Sequence, residues 1–201
     1  DYTFVDDSDI IDMRRAFVVG RHKYRSQYDM GQLIDTRERR RIVGDSFLRV
    51  VDLYNSRTFV DTIVIHKSNF DTHGFTIHPM FMIRPPDRAS VPTYVPYRCL
   101  LPKELDGILV TGLGVSAHRD VMPVIRMQPD IQNGGYAAGV AAAMAVQDGV
   151  DLRALDLRRL QQHLVEIGNL PESVLTDTNS YPLSDEAFAA AVEGLKEGRG
   201  A

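Results

Sequence analysis

Two histidines are the clearest candidates for proton transfer. His73 stands in the segment FDTHGF, between Asp71 and Gly74, so that a carboxylate could orient its ring and a substrate could approach it closely. His118 follows a glycine-rich turn in the segment GLGVSAHRD. Because imidazole changes its protonation state near neutral pH, either ring could take up a proton during a redox reaction. A hairpin turn with solvated side chains is the alternative for His73.

Arginines provide the candidates for binding negatively charged groups. The densest charge run is RERRR, and in an extended strand Arg37, Arg39 and Arg41 share one face. Such a face could bind a carboxylate or a phosphate of the substrate, to which Asp71 would also be close. A solvated strand face with cross-strand ion pairs explains most such runs. Arg126 is the stronger candidate, because it precedes the segment that leads to a glycine-rich helix.

A metal site is the weakest chemical interpretation. His66, His73 and His78 could form one with Asp71, but their spacing fits no compact ligand motif. The single cysteine, Cys99, has no partner for a disulfide or a zinc site. We therefore expect no metal, and a metal-dependent hydrolase remains only a minor alternative.

An unusually small set of side chains characterises residues 132–145, QNGGYAAGVAAAMA. The alanines predict a helix that opens on Gly134 and Gly135. Its first free N–H groups, around Gly134 to Tyr136, would carry about half a positive charge. Without large side chains at these positions or at Ala137, a planar or anionic ligand could touch the backbone. The alternative is that the alanines only allow close packing against neighbouring elements.

A glycine turn precedes this helix. The apolar run from Ile108 to Thr111 predicts a buried parallel strand, and the residues after it match the dinucleotide fingerprint G-x-G-x-x-G/A. That fingerprint requires an immediate helix and a second strand, whereas Pro123 and Pro129 interrupt the next segment. The fingerprint and a simple tight turn remain alternatives. We expect a turn beside a ligand, formed by four residues: Gly112, Leu113, Gly114 and Ser116.

Composition limits the class of protein. With 201 residues, of which 44% are hydrophobic, the chain can bury a sizeable core. Its net charge of -4 argues against nucleic-acid binding, which usually shows as a basic excess. No apolar run is long enough to span a membrane, and the first residues are acidic, unlike a signal peptide. We expect no membrane association. The compartment is unknown, with the cytoplasm favoured.

Secondary structure is predicted in three parts, residues 1–97, 98–149 and 150–201. A helix from Ser8 to about Tyr28 precedes three predicted strands: QLIDTRERRRIV, TFVDTIVIH and GFTIHPMFMI. Four prolines predict a stiff connection before the glycine turn: Pro85, Pro86, Pro92 and Pro96. In the last part, a helix from Asp156 would end at Gly168, and Ser184 would cap a helix running to Ala191.

Several motifs taken together resemble a known family. In order, they resemble the C-terminal half of bacterial FAD-dependent oxidoreductases of the glutathione-reductase-like class: RERRRIVGDSFL, FDTHGF, VPYRCLLPKELDGILVTGLGVSAHRD, RMQP, GGYAAGVAAAMA and LDLRRLQQHLVEIG. The resemblance covers roughly residues 31–168. It implies an α/β fold that combines the C-terminal part of a Rossmann-like FAD-binding domain with strands of a mixed-sheet substrate domain.

The same resemblance implies a flavin-dependent redox reaction on a small organic substrate. The glycine turn, Arg126 and the start of the glycine-rich helix would contact FAD, while His73 or His118 would assist proton removal. The family's pyrophosphate-binding turn cannot be placed before Asp1. We therefore expect the isolated chain to be inactive, to hold FAD weakly, and to need a missing N-terminal half or another chain to complete the sheet. A noncatalytic interaction or assembly module is the alternative.

Overall fold

The protein is described here from a computed structural model, over residues 9–23, 25, 40–71, 76–83 and 91–197. Within these ranges the two strands are β1 (Thr62–Ser68) and β2 (Val91–Pro96). The α-helices, in chain order, are α1 (Ile10–Lys23), α2 (Val50–Tyr54), α3 (Pro79–Ile83), α4 (Met122–Ile125), α5 (Gln128–Asp148), α6 (Leu157–Glu166) and α7 (Asp185–Lys196). Short 3-10 turns are formed by Tyr97–Cys99, Gly112–Gly114, Arg119–Val121, Leu152–Ala154 and Glu172–Leu175. The mixture of helices and a small sheet agrees with an α/β fold.

The sheet is antiparallel, and its second strand was not expected. β1 confirms the strand predicted in TFVDTIVIH, and it pairs with β2 in a register that places Lys67 opposite Pro92. The prediction of a stiff proline connection was therefore wrong for Pro92 and Pro96, which belong to β2. Proline has no N–H to donate, but a two-stranded sheet has only edge strands, where proline is tolerated. Pro85 and Pro86 lie outside the described residues.

The strand predicted in GFTIHPMFMI was also wrong, because its second half forms α3. Pro79 occupies the first helical position, where its missing N–H and fixed φ suit a helix start. Phe81 on this helix is buried in the core. Of the strand predicted in QLIDTRERRRIV, only residues 40–43 are described. They are not a strand, although Ile42 N–H donates to the Gly114 carbonyl at 2.9 Å.

No strand forms at Ile108–Thr111, contrary to the prediction of a buried strand that closes a parallel sheet. A parallel strand needs neighbours on either side, and in the described part of the chain no strand lies beside this segment. It makes one backbone bond of 2.8 Å, from Val110 N–H to the Leu100 carbonyl. The side chain of Ile108 is exposed.

The glycine-rich helix starts earlier than expected. α5 begins at Gln128, so the prediction that it opens on Gly134 and Gly135 was wrong. Pro129 accounts for the difference, because a proline in the first turn starts a helix instead of interrupting it. Met127, the residue before the helix, has extended backbone angles. The positive, N-terminal end of the helix dipole therefore lies about two turns before Gly134 and Gly135.

The other helix predictions are largely confirmed. Asp9 caps α1 by accepting a bond of 2.8 Å from Ile11 N–H, whereas Ser8, the predicted cap, lies outside the described residues. Asp156 caps α6, and Gly168 follows it with a φ of +80°. Ser184 Oγ accepts a bond of 3.2 Å from Ala187 N–H at the start of α7. α7 continues to Lys196, beyond the predicted end.

The core lies between β1, α5 and α6. Ala137 and Ala141 bury the inner face of α5, which packs on β1. Gln161 of α6 is fully buried and donates from Nε2 to the carbonyls of Val60, at 3.0 Å, and Thr62, at 2.8 Å. These bonds fix α6 against the start of β1. The core thus contains residues of all three predicted parts, and the division at 97/98 and 149/150 stays a prediction.

Neither a membrane-spanning helix nor a cluster of metal-ligating side chains occurs in the described ranges. None of the helices described is both long enough and apolar enough to cross a membrane. Within those same ranges, no three or more His, Cys, Asp or Glu side chains are grouped so that they could hold a metal ion.

Candidate active site

A cleft lies where β1, β2, the glycine turn and the first two turns of α5 meet. Its cavity volume is about 20 Å³, room for about one water molecule, and the space around it opens to solvent. Aliphatic side chains form most of its walls, among them Ile63, Val95 and Ile131. His66 and Asp130 supply polar groups. The lining of the cleft is therefore mainly aliphatic, with a few polar groups.

Two of the predicted cofactor-binding residues line this cleft, Gly112 and Gly134. Gly112 has a φ of +66°, a conformation that favours glycine. A Cβ atom at Gly112 would lie 3.6 Å from Ile131 Cγ2, and one at Gly134 would lie 3.7 Å from Val64 Cγ1. Gly134 therefore also permits the close packing of α5 on β1, which was the alternative explanation of this segment.

The other residues of the glycine turn are used by the fold itself. Leu113 is partly buried against the core. A Cβ atom at Gly114 would lie only 2.8 Å from Val110 Cγ1, so packing requires a glycine there. Ser116 is fully buried, and its Oγ accepts a bond of 3.0 Å from Gly44 N–H. Their predicted contacts with a cofactor stay predictions.

The predicted contacts around the glycine pair of α5 are spread over different faces of the helix. Gly135 is exposed, and a Cβ atom there would meet nothing within 4 Å. Tyr136 is exposed, and its hydroxyl lies 2.9 Å from His163 Nε2 on α6. Ala137 is buried in the core. Only Gly134 of these four faces the cleft.

His66 and Asp130 form a pair that the sequence analysis did not assign to the active site. The two atoms His66 Nδ1 and Asp130 Oδ2 are 3.4 Å apart. The His66 side chain is only 6% exposed, and its Nδ1 atom makes no hydrogen bond. The available signal was the position of His66 directly after the apolar residues Ile63, Val64 and Ile65. The sequence analysis interpreted His66 only as a metal ligand.

Arg126 and Asp71, predicted for different roles, are brought together. Arg126 Nη2 donates to the Asp71 carbonyl at 2.8 Å and to its carboxylate Oδ2 at 3.1 Å. The arginine side chain is 9% exposed, and its Nε atom is buried without a hydrogen bond. The pair anchors the chain just before residues 72–75. His73, Arg37 and Arg39 lie outside the described residues, so their roles stay predictions.

His118 lies in a second cluster, together with His78. The two rings are perpendicular, with centroids 5.2 Å apart. His118 Nδ1 accepts a bond of 3.1 Å from the Asp120 N–H, and His78 Nδ1 accepts one of 3.2 Å from Met80 N–H. Each bond requires an unprotonated Nδ1, so each neutral ring carries its proton on Nε2. In this geometry His118 is therefore a hydrogen-bond donor at Nε2, and accepting a proton would break its existing bond.

The carboxylate of Asp120 holds this cluster in place. It is fully buried, and Oδ2 accepts bonds of 2.8 Å from Ile77 N–H and 2.6 Å from His78 N–H. Its other oxygen accepts a bond of 3.1 Å from Arg119 Nη1. Charge-assisted bonds of this kind are stronger than neutral ones. Asp120 therefore fixes the chain that follows residues 72–75 against the segment that carries His118.

Burial sets the protonation of the nearby groups. The pKa of His118 is lowered below 6.5, mainly because burial disfavours the charged ring, and Asp120 opposes this effect. The positive charges of Arg41 and Arg119 lower the pKa of His118 further. Burial also raises the pKa of the Cys99 thiol to about 12, so this residue is a protonated core side chain at neutral pH.

The lowered pKa of His118 predicts that stability depends on pH. Because the folded state binds this proton less readily than the unfolded state, we expect the free energy of unfolding to fall as pH decreases from about 6.5 through the folded-state pKa. His118→Gln should make this loss smaller. Urea denaturation at several pH values between 8 and 5 would measure it, with His163→Gln as the control. Identical pH dependence in wild type and His118→Gln would contradict the prediction.

A family model described as FAD dependent oxidoreductase matches residues 7–164, well over half of the chain. The chain belongs to this family. The matched range of this FAD-dependent oxidoreductase includes the cleft, the Arg126–Asp71 pair and the His118 cluster. None of the curated proteins and none of the solved structures matches the chain. Family membership supports an oxidoreductase activity that uses FAD.

Proposed function

We propose that this chain forms the flavin-facing and substrate-facing part of a glutathione-reductase-like oxidoreductase that acts on a small organic molecule. The observation that carries the proposal is the convergence of the Gly112 turn, the start of α5 and β1 on one apolar cleft. When bound, FAD would supply a two-electron acceptor at this place. Side chains of this protein would bind the substrate, orient it and move protons.

The residues at the start of α5 fit a flavin ring. No side chain caps this 21-residue helix, whose first turn follows Met127. Its free N–H groups carry a partial positive charge, which would stabilise negative charge on the edge of a reduced ring. Arg126, just before the helix, has a buried Nε without a hydrogen bond. Gly112 contributes backbone without a side chain, so that a flat ring could approach it.

The histidines on the substrate side would hold protons at defined atoms. His118 lies outside the lining of the cleft, so it would donate from Nε2 only to a part of the ligand that extends toward His78, because its Nδ1 is already used by the Asp120 N–H. His73, which follows Asp71 in the sequence, remains the proposed base. We further propose that the pyrophosphate and adenosine of FAD are held by residues outside this cleft, in a preceding segment or in another chain.

Substitution of Gly134 tests the proposed flavin position. An added methyl group there would lie on the side of α5 that faces the cleft, 3.7 Å from Val64 Cγ1, which is an ordinary contact that the fold should tolerate. We expect Gly134→Ala to raise the dissociation constant for FAD at least about tenfold. The chain would be titrated with FAD and followed by flavin fluorescence, to high concentration because we expect weak binding.

Gly139→Ala is the matched control, since it adds the same methyl group where a Cβ atom meets nothing within 4 Å, further along α5 and outside the lining of the cleft. Its affinity for FAD should equal that of wild type. Equal weakening in both variants would contradict a flavin beside the start of α5. Absence of any FAD binding by the wild-type chain would contradict the proposal itself.

A further inference from the structure

The rings of His78 and His118 present two N–H donors close together. Their centroids are 5.2 Å apart, with the ring planes perpendicular. Each Nδ1 accepts a bond from a backbone N–H, His118 from Asp120 and His78 from Met80, so each neutral ring carries its proton on Nε2. Both rings are only partly buried, and within the described ranges neither Nε2 donates to another group of the chain. The pair therefore offers two donors that the fold does not use.

The fixed tautomers argue against the commoner role of paired histidines, which is metal binding. A metal ion needs the lone pair of an unprotonated ring nitrogen. In both rings that lone pair already accepts a backbone N–H. While these two bonds persist, the rings can serve a ligand only as hydrogen-bond donors. The ligand must therefore supply acceptor atoms.

The charges around the pair favour an anionic acceptor. Arg41 and Arg119 lie close enough to His118 for their positive charges to lower its pKa. The opposing negative charge is the buried carboxylate of Asp120, which already accepts bonds from Arg119 and from two backbone N–H groups. Bonds to an ionised acceptor are also stronger than bonds to a neutral one. A carboxylate, with two oxygens in one plane, matches two neighbouring donors.

We propose that the His78–His118 pair binds a carboxylate group of the substrate, with each Nε2–H donating to one carboxylate oxygen. The inference rests on the proposed function, because it names the substrate class of that reaction, a small organic acid. Donor–acceptor distances of about 2.7–3.2 Å allow the two oxygens of one carboxylate to reach donors on rings this close. His78 is then a second substrate-binding residue, for which the sequence suggested only metal binding.

Propionate and propionamide are matched probes of this substrate class, because they have nearly the same shape and differ in charge. The full chain, labelled with ¹⁵N and without flavin, would be titrated with each probe at pH 8 and constant ionic strength. Long-range ¹H–¹⁵N spectra would follow the imidazole nitrogens. We expect propionate to bind at least about tenfold more tightly than propionamide and to shift the Nε2 signals of both rings.

Two variants each remove one of the donors. His78→Phe and His118→Phe keep an aromatic ring but no N–H, and each should weaken propionate binding about tenfold. His163→Phe is the control, because it replaces a histidine that contacts Tyr136 and not this pair. It should bind propionate like wild type. The spectra of the wild-type chain without any probe should show protons on Nε2, and none on Nδ1, of both rings.

Several outcomes would overturn the inference. They are equal affinity for the acid and the amide, no propionate binding, wild-type affinity in both donor variants, and protons on Nδ1. Stoichiometric binding of Zn²⁺ by the two rings would do the same, since it requires the opposite tautomers. The comparison of the probes and the tautomers need no variant. None of these measurements uses FAD, so this inference and the proposed flavin site can fail separately.

Discussion

Asp120→Ala should destabilise the folded chain by about 3–5 kcal/mol, because it removes one partner of a buried charge pair. Arg119 would lose its carboxylate, and the N–H groups of Ile77 and His78 would lose their acceptor. The perpendicular contact between His78 and His118 should be lost as well, since Asp120 fixes the segment that carries His78. Urea denaturation at neutral pH would measure the change in the free energy of unfolding.

Asp106→Ala is the control for removal of an acidic side chain. Asp106 also accepts a bond from an arginine, Arg153, but its side chain is 79% exposed. Exposed ion pairs contribute little, so the loss should be below about 1 kcal/mol. Similar losses in the two variants would show that burial of the Asp120 carboxylate does not stabilise the fold in the way described.

Gly112→Ala should weaken FAD binding at least about tenfold, which corresponds to about 1.4 kcal/mol. The added methyl group would stand on the cleft side of the turn, 3.6 Å from Ile131 Cγ2. That distance is an ordinary contact, so no clash within the chain is expected. The positive φ adds a stability cost of about 1–2 kcal/mol, because side chains disfavour this conformation.

Gly107→Ala distinguishes the stability cost of a side chain at a positive φ from an effect on FAD binding. Gly107 has a φ of +72°, and a Cβ atom there meets nothing within 4 Å. It should reproduce the loss of stability without any change in the affinity for FAD. The two measurements are urea denaturation and titration with FAD. Equal affinities in both variants would show that the Gly112 turn does not contact the flavin.

The sequence correctly predicted structural features that depend only on residues a few positions apart, such as helix caps. Asp156, Gly168 and Ser184 mark helix ends correctly, because capping bonds and left-handed backbone angles involve residues only a few positions apart. The order of motifs also indicated the family that the comparison identifies. A proline, by contrast, is locally ambiguous. Pro129 could interrupt a helix or begin one, and the predicted start of α5 was wrong for that reason.

The composition of the active site was decided by tertiary structure. Asp71 and Arg126 are 55 positions apart, and His66 and Asp130 are 64, so nothing in either neighbourhood indicates the pairing. Whether Ile108–Thr111 becomes a strand likewise depends on a partner strand elsewhere.

The sequence by itself determined the family, the helix ends marked by Asp156, Gly168 and Ser184, and the candidate chemistry, since these follow from residue types and short-range bonds. Only the packing of α5 on β1 decided that His66, and not His118, lies in the cleft. Burial and opposing charges come from whichever elements the fold brings together. Whether a histidine lines the cleft therefore depends on long-range contacts that its own segment does not encode.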